Sequence, residues 1–124
     1  FLSFLNFDPD HSFFFEHERF HIPGLLLIEA VRQNAIAISH MFYDIPFEQS
    51  FVMNEFNCNF SRFASLNNPV KIFTITEERR ARNGRLSGIT LRNILLQKGK
   101  VIMNAGGTLM VLNEILMKRL EASL

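Results

Sequence analysis

Apolar positions along the chain follow two periods, one after the other. Over residues 23–42, Leu, Ile, Val, Ala and Met recur at helical spacing with no glycine after Gly24, and a proline in the first helical position already has the φ a helix needs. This predicts one long helix. From Phe51 onward the pattern turns to alternation rich in Phe, Val, Ile and Thr, which predicts strands over 51–64, 70–80, 86–97 and 100–112. The separators SLNNP, RARNG and KG have hairpin lengths, so consecutive strands are expected to pair antiparallel as a meander. Ahead of the helix, 1–7 reads as a short apolar segment, Asp8-Pro9-Asp10 as a turn and 13–15 as a buried extended run; residues 114–122 read as a short amphipathic helix.

A helix apolar on nearly every side, followed by long strands, predicts an α+β chain. A curved antiparallel sheet would wrap the long central helix, the arrangement called a hotdog fold. With 124 residues, 48% of them hydrophobic and 20% charged, the chain is expected to form a single hotdog domain over 1–124. Fourteen Phe against one Tyr and no Trp, with a mean hydropathy of +0.10, imply apolar surface covered by a second subunit, so a homodimer is expected.

A net charge of +1 argues against nucleic acid or an anionic membrane as partner. Cys58 is the sole cysteine, which rules out an intrachain disulfide and fits a reducing, cytoplasmic setting. The longest apolar run, 22–31, is broken by Glu29 and followed by Arg32, well short of the roughly 20 residues of a membrane span. No basic region precedes the first apolar residues, so no signal peptide is expected.

The chemistry concentrates on the helix. At its 3.6-residue period Glu29, Arg32, Gln33, Ile36 and His40 share one stripe, and Arg32 at i+3 with Gln33 at i+4 can both reach the Glu29 carboxylate. A satisfied internal ion pair is the plain reading; a catalytic carboxylate is the sharper one. Ile22 stands where a capping side chain would be expected, which leaves the Gly24 and Leu25 amides open to a carbonyl oxygen gaining negative charge or to a phosphate. His17 and His21 lie just upstream, where a neutral imidazole can act as base or acid near neutral pH. Their spacing also occurs in metal sites, but Pro23 argues against a helix across both and no cysteine lies near, so neither a metal nor any other cofactor is expected. His11 and His40 read as surface or packing residues.

The stretch DPDHSFFFEHERFHIPGLLLIEAVRQ, with the later FNCNFSRFASLNNPV, resembles the A-factor biosynthesis hotdog family, enzymes of bacterial γ-butyrolactone signal synthesis. More distantly, PGLLLIEA is similar to the helix motif of hotdog 3-hydroxyacyl-carrier dehydratases, which pair a loop histidine with a helix glutamate. The resemblance implies that Glu29 and Arg32 are the catalytic pair, with His17 and His21 in the histidine positions and Gln33 completing the E-A-x-R-Q signature. It also implies transfer of a 3-ketoacyl group from a thioester, on acyl carrier protein or coenzyme A, to the hydroxyl of dihydroxyacetone phosphate. The typical family member carries two hotdog units in tandem where this chain shows one, and a homodimer would restore the pair. A dehydratase using His17 with Glu29, a thioesterase, and a non-catalytic module binding an acyl carrier or lipid signal are the other readings.

Two further features stand outside the helix. Arg79, Arg80, Arg82 and Arg85 surround a hairpin tip, as a solvated turn or as a dock for an acidic carrier protein or coenzyme A phosphates. Gly106-Gly107 lies inside the last strand and marks a bulge, tight packing or an acyl chain passing the backbone, which makes Gly106 a candidate substrate contact beside Gly24, Leu25 and Gln33. Phe13, Phe14, Phe15, Phe56, Phe60 and Phe63 read mostly as core, with an acyl tunnel as the alternative.

Overall fold

The computed structural model describes residues 1–6, 22–43, 45, 50–112 and 114–124. Within these residues five strands and two helices follow in the order β1 (Leu2–Phe4), α1 (Gly24–Phe42), β2 (Ser50–Phe60), β3 (Lys71–Arg80), β4 (Leu86–Gln97), β5 (Lys100–Leu112) and α2 (Glu114–Ala122). The strands form one antiparallel sheet in the order β1-β3-β4-β5-β2.

Two of the expected hairpins form, each for a local reason. Lys98 and Gly99 both have positive φ, 53° and 73°, the conformation of a two-residue turn whose twist matches its strands. At the β3–β4 tip Gly84 takes φ 80° and the Ala81 amide donates to the Arg85 carbonyl at 2.9 Å. The third expected hairpin does not form. β2 lies at the edge of the sheet beyond β5, with β4 and β5 between it and β3, and the segment between β2 and β3 is a crossover rather than a turn. Its backbone is held by tertiary bonds: the Gln97 amide accepts from Ser65 N at 2.8 Å and donates to the Ser65 and Asn68 carbonyls. Ser61 and Arg62 N donate to the Ile102 carbonyl, so the strand expected over 51–64 ends at Phe60.

Alternation along β4 places Ile89, Leu91, Asn93 and Leu95 toward α1 and Thr90, Arg92 and Ile94 away from it. The helix buries Leu26, Leu27, Val31, Ala35, Ile38 and Ser39. Leu26, Leu27 and Val31 pack with Ile72, Leu95, Ile102 and Met103, and Ala35 packs with Ile45, Ile89, Leu91 and Leu109. Leu27, 2% exposed, contributes about 1.5–3 kcal/mol by leaving water.

The expectation of a helix covered on nearly every side fails among the described residues. Leu25 is 63% and Met41 70% exposed, because the sheet lies against one side of α1 only. Phe56, Phe60 and Phe63, expected as core, are all exposed as well; Phe56 and Phe60 belong to the free edge strand β2. Phe13, Phe14, Phe15 and the Asp8-Pro9-Asp10 turn lie outside the described residues.

A polar chain crosses the interior. Ser3 Oγ donates to Asn34 Oδ1 at 2.9 Å, Asn34 Nδ2 donates to Thr74 Oγ1 at 2.7 Å, and Thr74 Oγ1 donates to Asn93 Oδ1 at 2.8 Å. Asn93 Nδ2 then donates to the Ala105 carbonyl at 3.3 Å. The chain ties β1, α1, β3, β4 and β5 together, which fixes the rotation of α1 about its own axis and so the direction its outward face presents.

Candidate active site on the central helix

Helical spacing brings the expected trio together. Arg32 donates to both oxygens of Glu29, from Nε at 2.8 Å and from Nη2 at 2.5 Å, and Gln33 Nε2 donates to Glu29 Oε1 at 3.1 Å. The carboxylate thus accepts a guanidinium fork and an amide from its own helix. The trio lies on the uncovered face: the Glu29 side chain is 32% exposed and that of Arg32 52%.

The Arg32 hydrogen bonds, helped by Gln33 and the Arg32 charge and opposed by partial burial, hold the Glu29 carboxyl down at about 2, while Glu29 pushes the guanidinium up. A carboxyl titrating in the fold at about 2 instead of its ordinary 4.5 favours the folded state above about pH 4.5, and that contribution fades as pH falls toward 2. Solvent screening keeps it within about 1 kcal/mol. Carbon-detected NMR of the Glu29 carboxyl is expected to show a midpoint near 2, and Arg32→Met is expected to raise it toward 4.5.

The helix start is uncapped, as its sequence implied. Pro23 has φ −61° and ψ 142°, and among the described residues no side chain caps the first turn. The Leu26 and Leu27 amides go to the Pro23 carbonyl, while among the described residues no acceptor meets Gly24 or Leu25 N–H. The Phe60 ring stands over Gly24, 3.1 Å from where a β-carbon would be, so the close approach that glycine permits there is made by this ring. Leu25 is four residues before Glu29 and shares its face.

A trough of about 300 Å³ runs between β1 and α1, lined by Ser3, Leu5, Glu29, Gln33, Asn34 and Ala37 among others. Ser3 and Asn34 link it to the interior polar chain. Neither was singled out from the sequence, although an asparagine on the sheet-facing side of an apolar helix was a visible signal. Thr74 and Asn93 gave a matching one, as polar residues at inward positions of alternating strands.

The remaining candidates fall elsewhere. His17 and His21 lie outside the described residues. His40 donates from Nδ1 to the Ile45 carbonyl at 2.7 Å beyond the helix end. Gly106 is in register with Arg92 and Asn57 on the sheet face turned away from α1, so the fold does not bring it to Glu29. The bulge considered at Gly106-Gly107 does not form there, since the register runs unbroken through both glycines on each side; the shift lies on β2 between Met53 and Glu55, and a β-carbon on Gly107 would sit 2.7 Å from the Glu55 carbonyl oxygen, so tight packing accounts for that glycine.

The profile of the A-factor biosynthesis hotdog domain matches residues 1–113. The chain belongs to this family. No curated protein matches it in sequence. It is similar in structure to a hot-dog-like protein from Thermanaerovibrio acidaminovorans, with a TM-score of 0.73 and 10% identity over 98% of this chain and 87% of that one. A predicted thioesterase from Bacillus stearothermophilus gives 0.69 and 13% over 94% and 82%. A thioesterase from Thermus thermophilus, complexed with coenzyme A and Zn, gives 0.62 and 13% over 91% and 84%. At such identities the likeness establishes the hotdog fold.

In this A-factor biosynthesis hotdog chain, the antiparallel sheet with α1 across it is the expected α+β hotdog fold, reached with β2 beside β5 rather than as a simple meander. No helix among the described residues is long and apolar enough to cross a membrane.

Proposed function

We propose that this protein acts on fatty acyl thioesters of coenzyme A or acyl carrier protein, transferring the acyl group to an alcohol. It does so as a cytoplasmic homodimer of one-domain chains. The observation that carries this reading is the Glu29 carboxylate, fixed by Arg32 and Gln33 on the uncovered face of α1, one turn beyond the Leu25 amide, which meets no acceptor among the described residues. Family membership and the thioesterase descriptions of similar folds support the thioester. The same descriptions favour a second reading, hydrolysis, in which water takes the alcohol's place.

In the reaction the alcohol oxygen bonds the acyl carbon, the C–S bond breaks, and the alcohol proton ends on the departing thiol. The Gly24 and Leu25 amides receive the developing oxyanion. A carboxyl held at about 2 is a poor base at neutral pH. An anionic acceptor such as dihydroxyacetone phosphate relieves this by drawing the Arg32 fork to its phosphate, which raises the Glu29 pKa as the alcohol arrives. His17 or His21 carries the proton onward to sulfur.

The second subunit in this reading adds along β2, whose outer edge pairs with no strand among the described residues and whose helix-side row Met53, Phe56 and Phe60 is exposed. The test is mass spectrometry of products from 3-ketoacyl and 3-hydroxyacyl thioesters, with and without dihydroxyacetone phosphate, alongside light scattering for the dimer. An ester that needs the acceptor is the expected product. Free acid without acceptor would establish hydrolysis, an enoyl product a dehydratase, and unchanged thioesters would defeat the enzymatic reading.

A further inference from the structure

We propose that the sheet face turned away from α1 carries a second binding site, for a sugar phosphate, centred on Gly106 and independent of the Glu29 site. A groove of about 520 Å³ lies on this face, of the size that small-molecule sites occupy. Strand register builds it as a grid. Asn57, Gly106 and Arg92 form its middle row across β2, β5 and β4; Asn59, Asn104 and Ile94 form one neighbouring row, and Glu55, Thr108 and Thr90 the other. Arg79 enters from β3, its stem 3.8 Å from where a β-carbon on Gly88 would be.

The glycine at the centre asks for an explanation. Gly107 is required, since any side chain there meets the Glu55 carbonyl oxygen. Gly106 is not: its φ is not positive, and a β-carbon would make only ordinary contacts, 3.4 Å from Asn57 Oδ1 and from the Leu91 carbonyl oxygen. A glycine inside a strand weakens it and is found where something approaches the backbone closely. Here it clears the space between the Arg92 guanidinium and the Asn57 amide.

The lining chooses the ligand. The Arg79 and Arg92 guanidiniums make no ion pair or hydrogen bond among the described residues, unlike Arg32, whose fork is taken by Glu29. Two free guanidiniums match a phosphate monoester, with its near-double charge and three acceptor oxygens. Asn57, Asn59 and Asn104 offer amide donors and acceptors, and Glu55 an acceptor, at the distances of neighbouring strands; such groups recognise hydroxyls. Among the described residues no aromatic side chain lines the groove, so a nucleobase finds nothing there to stack on, and the ligand is a sugar phosphate.

The experiment is an NMR titration of the intact chain with ribose 5-phosphate, glucose 6-phosphate, unphosphorylated ribose and inorganic phosphate. Saturable shifts confined to β2, β4, β5 and the Arg79 end of β3 are expected with the sugar phosphates, weaker ones with inorganic phosphate and none with ribose. Arg92→Gln is expected to weaken binding about tenfold to a hundredfold, and Gly106→Val to abolish it without lowering the melting temperature. Arg32→Met is expected to leave it unchanged. Binding lost in Arg32→Met but kept in Arg92→Gln would overturn the proposal by moving the phosphate to the helix. So would the absence of any shift, or a groove buried by self-association of the chain.

Discussion

Glu29→Gln is expected to lower ester formation by about 10²–10⁴-fold, the range for removing a positioned acid–base group, while changing stability by less than about 1 kcal/mol. The two halves of this expectation come from the same geometry. Glutamine keeps the shape and still accepts one hydrogen bond from Arg32, and the site is exposed enough that water replaces the rest. The catalytic loss has no such substitute, because an amide cannot take the alcohol proton. Steady-state kinetics with a urea melt on the same sample separates the readings. A large stability loss with no change in rate would make Glu29 and Arg32 a structural pair. Unchanged rate and unchanged stability would remove the trio from the site. Arg32→Lys provides the complementary check: it keeps the charge and loses the fork, so it is expected to raise KM for an anionic acceptor more than it lowers kcat.

What could be read from the sequence was what depends on near neighbours. Glu29, Arg32 and Gln33 meet because spacings of three and four residues meet on any helix, and the bounds of β4, β5 and α2 follow from turn residues such as Gly84 and Lys98-Gly99. The failures share a cause of the opposite kind. SLNNP has the composition of a hairpin turn, yet its path is set by Gln97, some thirty residues later in the chain. Gly106 looked like a neighbour of the helix site, and only the register of β5 against β4 and β2 shows that it faces the other way. The phenylalanines at 56 and 60 carry the apolar signal of a core, but β2 has no further strand beside it among the described residues, and so they stay exposed.

The site also depends on a part of the molecule it does not touch, and Asn93→Ala is expected to show this. Asn93, 3% exposed, accepts from Thr74, 2% exposed, which in turn accepts from Asn34 on α1. Removing the acceptor leaves the Thr74 hydroxyl hydrogen without a partner away from water, about 1–3 kcal/mol, and opens a small cavity beside it. A total of about 2–4 kcal/mol is expected, read as a lower urea midpoint at constant m-value. Exchanging both partners for apolar groups of similar shape, Thr74→Val with Asn93→Leu, is expected to cost less than the two single changes added together, since the double variant orphans fewer buried groups between these two strands. If the costs simply added, the bond between Thr74 and Asn93 would contribute nothing of its own. A cooperative result would mean that the rotation of α1, and with it the direction in which Glu29 points, is maintained by a hydrogen-bonded chain reaching from β1 to β5. Ester formation should then fall in Asn93→Ala even under conditions where the chain remains folded.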